Sequence, residues 1–582
     1  MHVRARALFG DPSAAASRID PETIAQARRE GTTLGAVIDR QAGARVLDEG
    51  GPLHAERVTV RGGSAAETQV VIDGVALVSP FATGLDVGLI GVESVARATL
   101  VRGGAGALYG DGALTGALTI ETRTPEETPP LTLGLRAGSQ DRFGLSAVVR
   151  ASDLAIGADV DRTSGRFDYV SRIEGLPDAA RVRENNDASL GRAHARGGWA
   201  LAGGALTLLA GGVVREGGSP GLETSSDLDA RERRAHGIAR VAWQGPLLSG
   251  ATWEIAAQGS ALNIDYDDPD PDAPLSSRTT FVSGGGDTAL AWRWGDHRLR
   301  IGAGGAVETS RSTEHGAPTR GRGHVVVSDE LVLDDLRLFA AVRGALVDEA
   351  VVLPRIGAVW TATTGVAITA AIGRSFRAPA IDELYHPLIR GFSGNPNLVP
   401  ETAWEAELGV RLWVLSIAGY ARRIEDIIVY VNQNAFLVRP ENLGGASAIG
   451  VEVELAEHAS IGPLVLDARF AASIGASRLD ASGASVPVAS PYGIDAELRA
   501  SLEMLSAFTR IAHGAPTTAN LAGTIPVDGY TRWDAGVVWT CTPGASLGLV
   551  VTNLLDDQTL ETLFKLPLPG RSMLATLRVE AG

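Results

Sequence analysis

The sequence predicts an all-β membrane barrel of about 22 antiparallel strands, with a small N-terminal α+β domain inside its lumen. Three observations predict it. Beyond residue 130 or so, short windows alternate apolar and polar residues, paced by Gly- and Asp-rich turns. No apolar run reaches the ~20 residues a membrane helix needs, so a spanning chain must close its sheet to satisfy every backbone group. The first 125 residues carry a different, denser glycine-punctuated pattern. Residues 1–18 read as an N-terminal extension, 19–125 as the inner domain and 126–582 as the barrel.

The first elements are two short helices. Pro21–Arg29 has Asp20 as N-cap and proline at the first helical position. Thr32–Gln41 reads as the second. Strands are predicted at Val58–Val60, Gln69–Ile72, Ala98–Val101 and Leu118–Thr122. Glycine sites punctuate them: Arg61-Gly62-Gly63, Asp73-Gly74, Arg102-Gly103-Gly104 and Tyr109-Gly110-Asp111-Gly112. Asp-Gly suits a hairpin turn because both residues tolerate positive φ. Each dipeptide alone is an ordinary turn; the ordered set is far more specific.

Later windows alternate cleanly. Leu131, Leu133, Leu135 and Ala137 share one face, and Ala406, Leu408, Val410 and Leu412 oppose Glu405, Glu407, Gly409 and Arg411. Val451–Leu455 and Thr531–Trp539 repeat the pattern. Leu131–Gly582 is 452 residues, about 20 per strand and turn for 22 strands. Short turns are predicted at Asp153-Leu154, Ala202–Gly204, Gly295–His297, Asp334-Asp335 and Thr363–Gly365. Long connections are predicted at Arg166–Asn186, Gly217–Asp229, Asp265–Ser277, Pro379–Glu401 and Asn432–Ala446. Trp199, Trp243, Trp253, Trp292, Trp294, Trp360, Trp413 and Trp539 fall near short turns, as indole at a membrane interface should.

Composition excludes several functions. Net charge is −16, against nucleic acid, which wants clustered cations. Lys565 is the only lysine and Cys541 the only cysteine, which excludes a Walker A loop, an intrachain disulfide and a cysteine metal cage. The ten histidines show no HExxH and no Gly-x-Ser-x-Gly elbow appears, so no enzyme activity is expected. Gly104-Ala105-Gly106 lacks the rest of a dinucleotide fingerprint. The N-terminus has no apolar run of about 7–15 residues; an outer-membrane protein carries such a signal, so either it is expected upstream of this sequence or the protein is cytoplasmic. Asp265, Asp267, Asp268, Asp270 and Asp272 form one acidic cluster, a candidate calcium site set against the simpler reading of a solvated loop. No other cofactor is expected.

The ordered glycine sites resemble the plug of TonB-dependent outer-membrane receptors of the siderophore and cobalamin type. That plug carries Arg-Gly after a strand, an Asp-Gly-Val hairpin, a second Arg-Gly and a Tyr-Gly, here Arg61-Gly62, Asp73-Gly74-Val75, Arg102-Gly103 and Tyr109-Gly110. Phe376–Pro379, Glu383–Tyr385 and Gly394–Glu401 are similar to the family's barrel motifs, and Leu547–Leu555 to its closing strands. The resemblance implies that Arg61 and Arg102 meet acidic residues of the barrel wall. It implies an energy-coupled importer in the outer membrane, a monomer contacting TonB, the inner-membrane proton-driven complex and outer-membrane lipid, with no nucleic acid. The ligand is a ferric siderophore first, then cobalamin, then other metal chelates or glycans. Candidate ligand residues are Ser79, Pro80 and Phe81 on the plug and Tyr385, Arg390 and Phe392 on a long loop. Two departures stand out: no clear TonB box, with Val3-Arg4-Ala5 as its expected tail, and no C-terminal aromatic residue. The rivals are a passive or ligand-gated porin, a barrel-embedded hydrolase and a soluble all-β binding protein. The plug-like domain, the missing nucleophile motif and the missing 40–50-residue repeat weigh against them in turn.

Overall fold

The computed structural model describes residues 15–172, 176–222, 225–226, 228–271, 274–434, 436–487, 489–562 and 565–581. Asp272 and Val3-Arg4-Ala5 therefore lie outside the described residues. The N-terminal unit is a five-stranded sheet in the order Ala16–Ile19, Val95–Arg102, Gly116–Thr122, Thr68–Ile72, Val75–Ala76. Only the pair Thr68–Ile72 with Gly116–Thr122 is parallel. A hairpin of Ala44–Asp48 and Glu56–Val60 packs beside it.

The helix Pro21–Glu30 forms where predicted, with the Asp20 side chain accepting from the Thr23 N–H and Gly31 closing it at φ 72°. It buries Ile24 and Ala27. The second helix is shorter than predicted, Leu34–Ile38. Thr33 caps it through the Ala36 N–H, and Asp39 turns outward to accept from the Val46 N–H at 2.9 Å. Competition by that side chain ends the helix early. Ile24, Leu34, Ile38, Leu100, Leu118 and Ile120 fill the core between helices and sheet.

The barrel is closed and has 22 strands, each antiparallel to both neighbours. Its last strand, Ser572–Ala581, pairs with its first, Leu131–Gly138, with Leu131 opposite Ala581. Alternation sorts the side chains: Leu131, Leu133 and Leu135 face outward while Thr132 and Arg136 are buried toward the lumen. Glu405 and Glu407 point inward, Ala406 and Leu408 outward. A barrel this wide cannot fill its lumen with wall side chains alone; here the N-terminal domain occupies it.

One end carries tight turns and the other long loops. Two loops fold back as long hairpins, Phe167–Ser171 with Ala179–Arg183 and Ile428–Asn434 with Leu437–Asn442, and two others carry two-residue pairings, Gly221–Leu222 with Ser225–Ser226 and Thr517–Thr518 with Pro526–Val527. A loop boundary also needs correction. The stretch Asp265–Ser277 is mostly strand, because Ala251–Asp268 and Leu275–Trp294 run far past the expected loop boundary. Eight of ten tryptophans lie at the tight-turn end, as predicted; Trp404 and Trp533 sit near the opposite ends of their strands and also face outward.

Candidate functional site

Arg61 follows the strand Glu56–Val60 on a tight turn, with φ 50° at Arg61 and 70° at Gly62. Its side chain is fully buried among wall carboxylates. It donates to both oxygens of Glu452 at 3.0 and 2.9 Å, to Glu407 at 3.3 Å and to Glu405. Its guanidinium also lies 4.2 Å from the centroid of the Tyr420 ring. Arg102 donates to the Ala42 carbonyl at 2.6 Å and to Glu454 at 2.8 Å, and lies 3.4 Å from Glu452.

Arg355 and Arg422 come from the wall, to Glu407 at 2.9 Å and Glu405 at 3.4 Å. Four guanidiniums thus meet four carboxylates, so the buried cluster is close to neutral. Burial alone would lower the pKa of Arg61, but Glu452, Glu405 and Glu407 outweigh it and hold the guanidinium above its ordinary value. Taking one partner from such a cluster leaves an uncompensated buried charge, at about 3–5 kcal/mol.

The remaining glycine sites shape the domain. Asp73 and Gly74, at φ 46° and 89°, close the hairpin between Thr68–Ile72 and Val75–Ala76. The Asp73 carboxylate accepts from the Thr122 N–H at 3.1 Å. Gly103 donates to the Thr115 carbonyl at 3.0 Å. Tyr109 ends the helix Gly106–Tyr109, and Gly110 leaves it at φ 80°. The wall residue Arg343 donates to the carbonyls of Ala107 and Leu108 at 3.2 and 2.8 Å, capping that short helix.

The six residues expected at the ligand site divide into two groups. Pro80 is buried, and Phe81 packs with Leu262, Phe281 and Ile381; Ser79 accepts from the Phe81 N–H at 3.1 Å. Tyr385 and Phe392 are exposed, and Arg390 pairs with Asp268 at 2.7 Å. A residue missed in the sequence joins plug and loop. Asp382, on the loop helix Ile381–Tyr385, accepts from the Ala82 N–H at 3.0 and 3.2 Å, while its own N–H donates to the Pro80 carbonyl at 3.0 Å. Burial, then the neighbouring Glu383, push its carboxyl up to about 7. Arg377 braces the same loop: it donates to Glu383 at 2.8 and 3.2 Å and to Glu401. The plug residue Asp111 accepts from the Ala378 N–H at 2.7 Å and pairs with Arg322. Nothing in the alternation of the sequence distinguished Asp111 or Asp382 from other loop carboxylates.

Arginines take up part of the acidic cluster. Asp265 pairs with Arg278 at 2.6 Å, Asp268 with Arg390, and Asp265 and Asp267 lie on a strand rather than a loop. Among the described residues, no three His, Cys, Asp or Glu side chains gather as a metal site; Asp272 of the candidate cluster lies outside them.

A cavity of about 260 Å³ separates the plug from one sector of the wall. Asp73, Gly74 and Asp111 line it from the plug, Arg240, Glu308 and His324 from the wall. Small residues on the wall, among them Ser260, Ser283 and Ala306, leave this space open.

Comparison with known proteins gives a consistent picture. Residues 131–554 match the family described as TonB dependent receptor-like, beta-barrel, and residues 11–117 the TonB-dependent Receptor Plug Domain. The vitamin B12 transporter BtuB of Vibrio vulnificus (strain YJ016) is 23 % identical over 567 residues, covering 90 % of this chain and 86 % of the relative. That of Photobacterium profundum is 23 % identical over 451 residues, covering 72 % and 70 %. Among solved structures, a mutant ferric enterobactin receptor (PfeA) of Pseudomonas aeruginosa superposes with a TM-score of 0.78 at 16 % identity, covering 98 % of each chain. The siderophore receptor PirA of Acinetobacter baumannii gives 0.79 at 14 % identity, with the same coverage. At those identities the superpositions speak for the fold.

Proposed function

Because this chain belongs to the TonB-dependent receptors, whose plug and barrel both match it, we propose that it imports a scarce, bulky ligand across the outer membrane with energy supplied through TonB. The observation that carries this is the buried ionic cluster between Arg61, Arg102 and the wall carboxylates. Arg61 and Arg102 are its anchoring residues. The cluster fixes a plug across a lumen too wide to be closed otherwise, and so implies that work must be done on the plug before a large solute passes.

Ligand is captured at the long-loop end, on the exposed Tyr385 and Phe392. The bracket from Asp382 to Ala82 lets a shift of that loop act on the plug apex. The cavity beside Asp73 and Asp111 is where a passage widens once the plug moves. The long loops then face outside and the tight turns the periplasm. No step requires chemistry on the ligand.

Cobalamin is the first candidate, because two curated relatives matching over most of their length are cobalamin transporters; a ferric siderophore is the second. This reverses the order set by resemblance alone. The test is uptake of radiolabelled cyanocobalamin by cells relying on this protein, with and without TonB. TonB-dependent accumulation supports the reading. Binding without accumulation in either strain would refute energised import, and no binding would move the search to ferric chelates.

A further inference from the structure

We infer that the outer surface of the barrel carries a site for a phosphorylated, multi-chain lipid, on a groove spanning the strands from Val366–Arg377 to Leu464–Leu479. It lies apart from the ligand pocket and from the plug, and rests on the proposed placement only in assigning the long-loop end to the outer leaflet.

The strand register assembles the site. Arg374 is opposite Trp404, Trp404 opposite Arg423, Arg423 opposite Ser447, and Ser447 opposite Arg478. Direct cross-strand partners share one face of a sheet, so these five residues form a single outward-facing row over five adjacent strands. The row sits within three residues of the long-loop ends of its strands: Trp404 follows Glu401, Arg423 precedes Glu425 and Arg478 precedes Leu479. That is headgroup height, where indole and snorkelling arginine are favoured.

The next row toward the barrel middle is Ile372, Ala406, Ala421, Ile449 and Ala476, again successive register partners. Three alanines set among two isoleucines leave a depression, a groove of about 590 Å³. Its exposed lining is mostly apolar, as acyl chains require, with Trp404, Arg423 and Arg478 at its rim and Arg374 next in the row.

Charge and spacing select the occupant. Arg478 is exposed and makes no ion pair among the described residues. Arg423 shares Asp480, at 2.8 Å, with Ser447, and Arg374 donates only to the Thr402 hydroxyl, at 3.4 Å. The three arginines stand two strands apart, so roughly 10 Å separates each from the next and roughly 20 Å the outer two. One glycerophospholipid phosphate engages one of these positions. A lipid with two phosphates on a sugar backbone and several chains engages two or more while its chains fill the groove, with charge-assisted, bidentate contacts.

The test uses full-length protein in detergent, its barrel verified by a heat-dependent gel shift. Lipid A bearing two phosphates, or phosphatidylglycerol as the monophosphate arm, is added, and retained lipid is measured by native mass spectrometry. Lipid A is expected to bind one to one, at least tenfold more tightly than phosphatidylglycerol. The variant Arg374→Gln/Arg423→Gln/Arg478→Gln is expected to lose at least tenfold of that affinity, and Ala421→Trp to lose it by filling the groove. Arg311→Gln, on another part of the outer wall, is expected to behave as the parent. Equal retention by parent and triple variant, both shifted by heat, would overturn the site, and so would equal affinity for the two lipids. Failure of the placement is read separately, by labelling a cysteine introduced at Phe436 in intact cells: a label excluded from outside reverses the orientation and leaves the detergent result standing.

Discussion

Arg61 and Glu452 are 391 positions apart in the chain and meet through two near-parallel hydrogen bonds of 3.0 and 2.9 Å. One residue belongs to the plug and the other to the wall, so this contact joins the two units directly. A fork-to-fork pair of this kind fixes orientation as well as distance.

Replacing Arg61 with alanine leaves Glu405 and Glu452 short of a partner in a buried site. The expected loss is about 3–5 kcal/mol of plug docking. Plug release in urea, followed by limited proteolysis while the barrel keeps its heat-shifted mobility, measures it. Arg61→Lys recovers only part, because an ammonium cannot span two oxygens in a fork. Full recovery by lysine would show that charge alone holds the plug.

Gly103 has a backbone φ of 90°, and a Cβ there would sit 2.8 Å from Glu405 Oε1 and 3.1 Å from Arg61 Nη1. Gly103→Val therefore combines backbone strain with displacement of the ionic cluster. A loss of at least about 2 kcal/mol is expected in the same urea assay. Gly198→Val, where nothing lies within 4 Å of the added carbon, serves as the control.

Arg377 ties the loop helix Ile381–Tyr385 to the strand beginning at Glu401. Arg377→Ala strands two buried carboxylates, so the loop should detach from the plug apex. Hydrogen exchange over residues 378–385 is expected to rise by at least tenfold, with the wall strands unaffected. Unchanged exchange would place the brace elsewhere.

Asp382 faces Glu383 on its own helix, with Arg377 and Tyr430 reaching it from neighbouring elements. Its carboxyl is raised to about 7 from an ordinary 3.8. A raised acid stabilises the docked form fully below the ordinary pKa, and that contribution is lost as pH rises through 7. Exchange of the Ala82 amide, corrected for its intrinsic rate, is expected to be better protected at pH 6 than at pH 8. Asp382→Asn should flatten the difference; a persistent pH dependence in that variant would assign it to another group.

The barrel was legible because period two is a local property. Glu405, Ala406, Glu407 and Leu408 announce their faces without knowledge of any partner. The plug turns were legible because Asp73-Gly74 and Arg61-Gly62 need positive φ, which few residues tolerate. The end of the second helix was not, since the Asp39 side chain ends it by bonding a strand seven residues on. Strand length failed at Asp265 for a related reason: Arg278, opposite in register, pairs with its charge and lets the strand continue past a turn-like composition. The ligand residues were least legible. Whether Phe81 or Phe392 stays open depends on which long-range neighbour covers it, and Ile381 covers only the first.

Closure of the wall by Leu131 against Ala581 carries a consequence for biogenesis. The strand leaving the ribosome first among the wall strands waits for the one leaving last, so the cylinder cannot be sealed until synthesis of the whole wall is over. The plug emerges earlier, yet its ionic partners arrive from Arg196 through Arg578, strung along most of the wall. Such distant pairings are slow to form and leave strand edges open meanwhile. The stopper must therefore be kept near its seat while the cylinder curls around it, since once sealed the walls leave no gap wide enough for a folded domain to enter from the side.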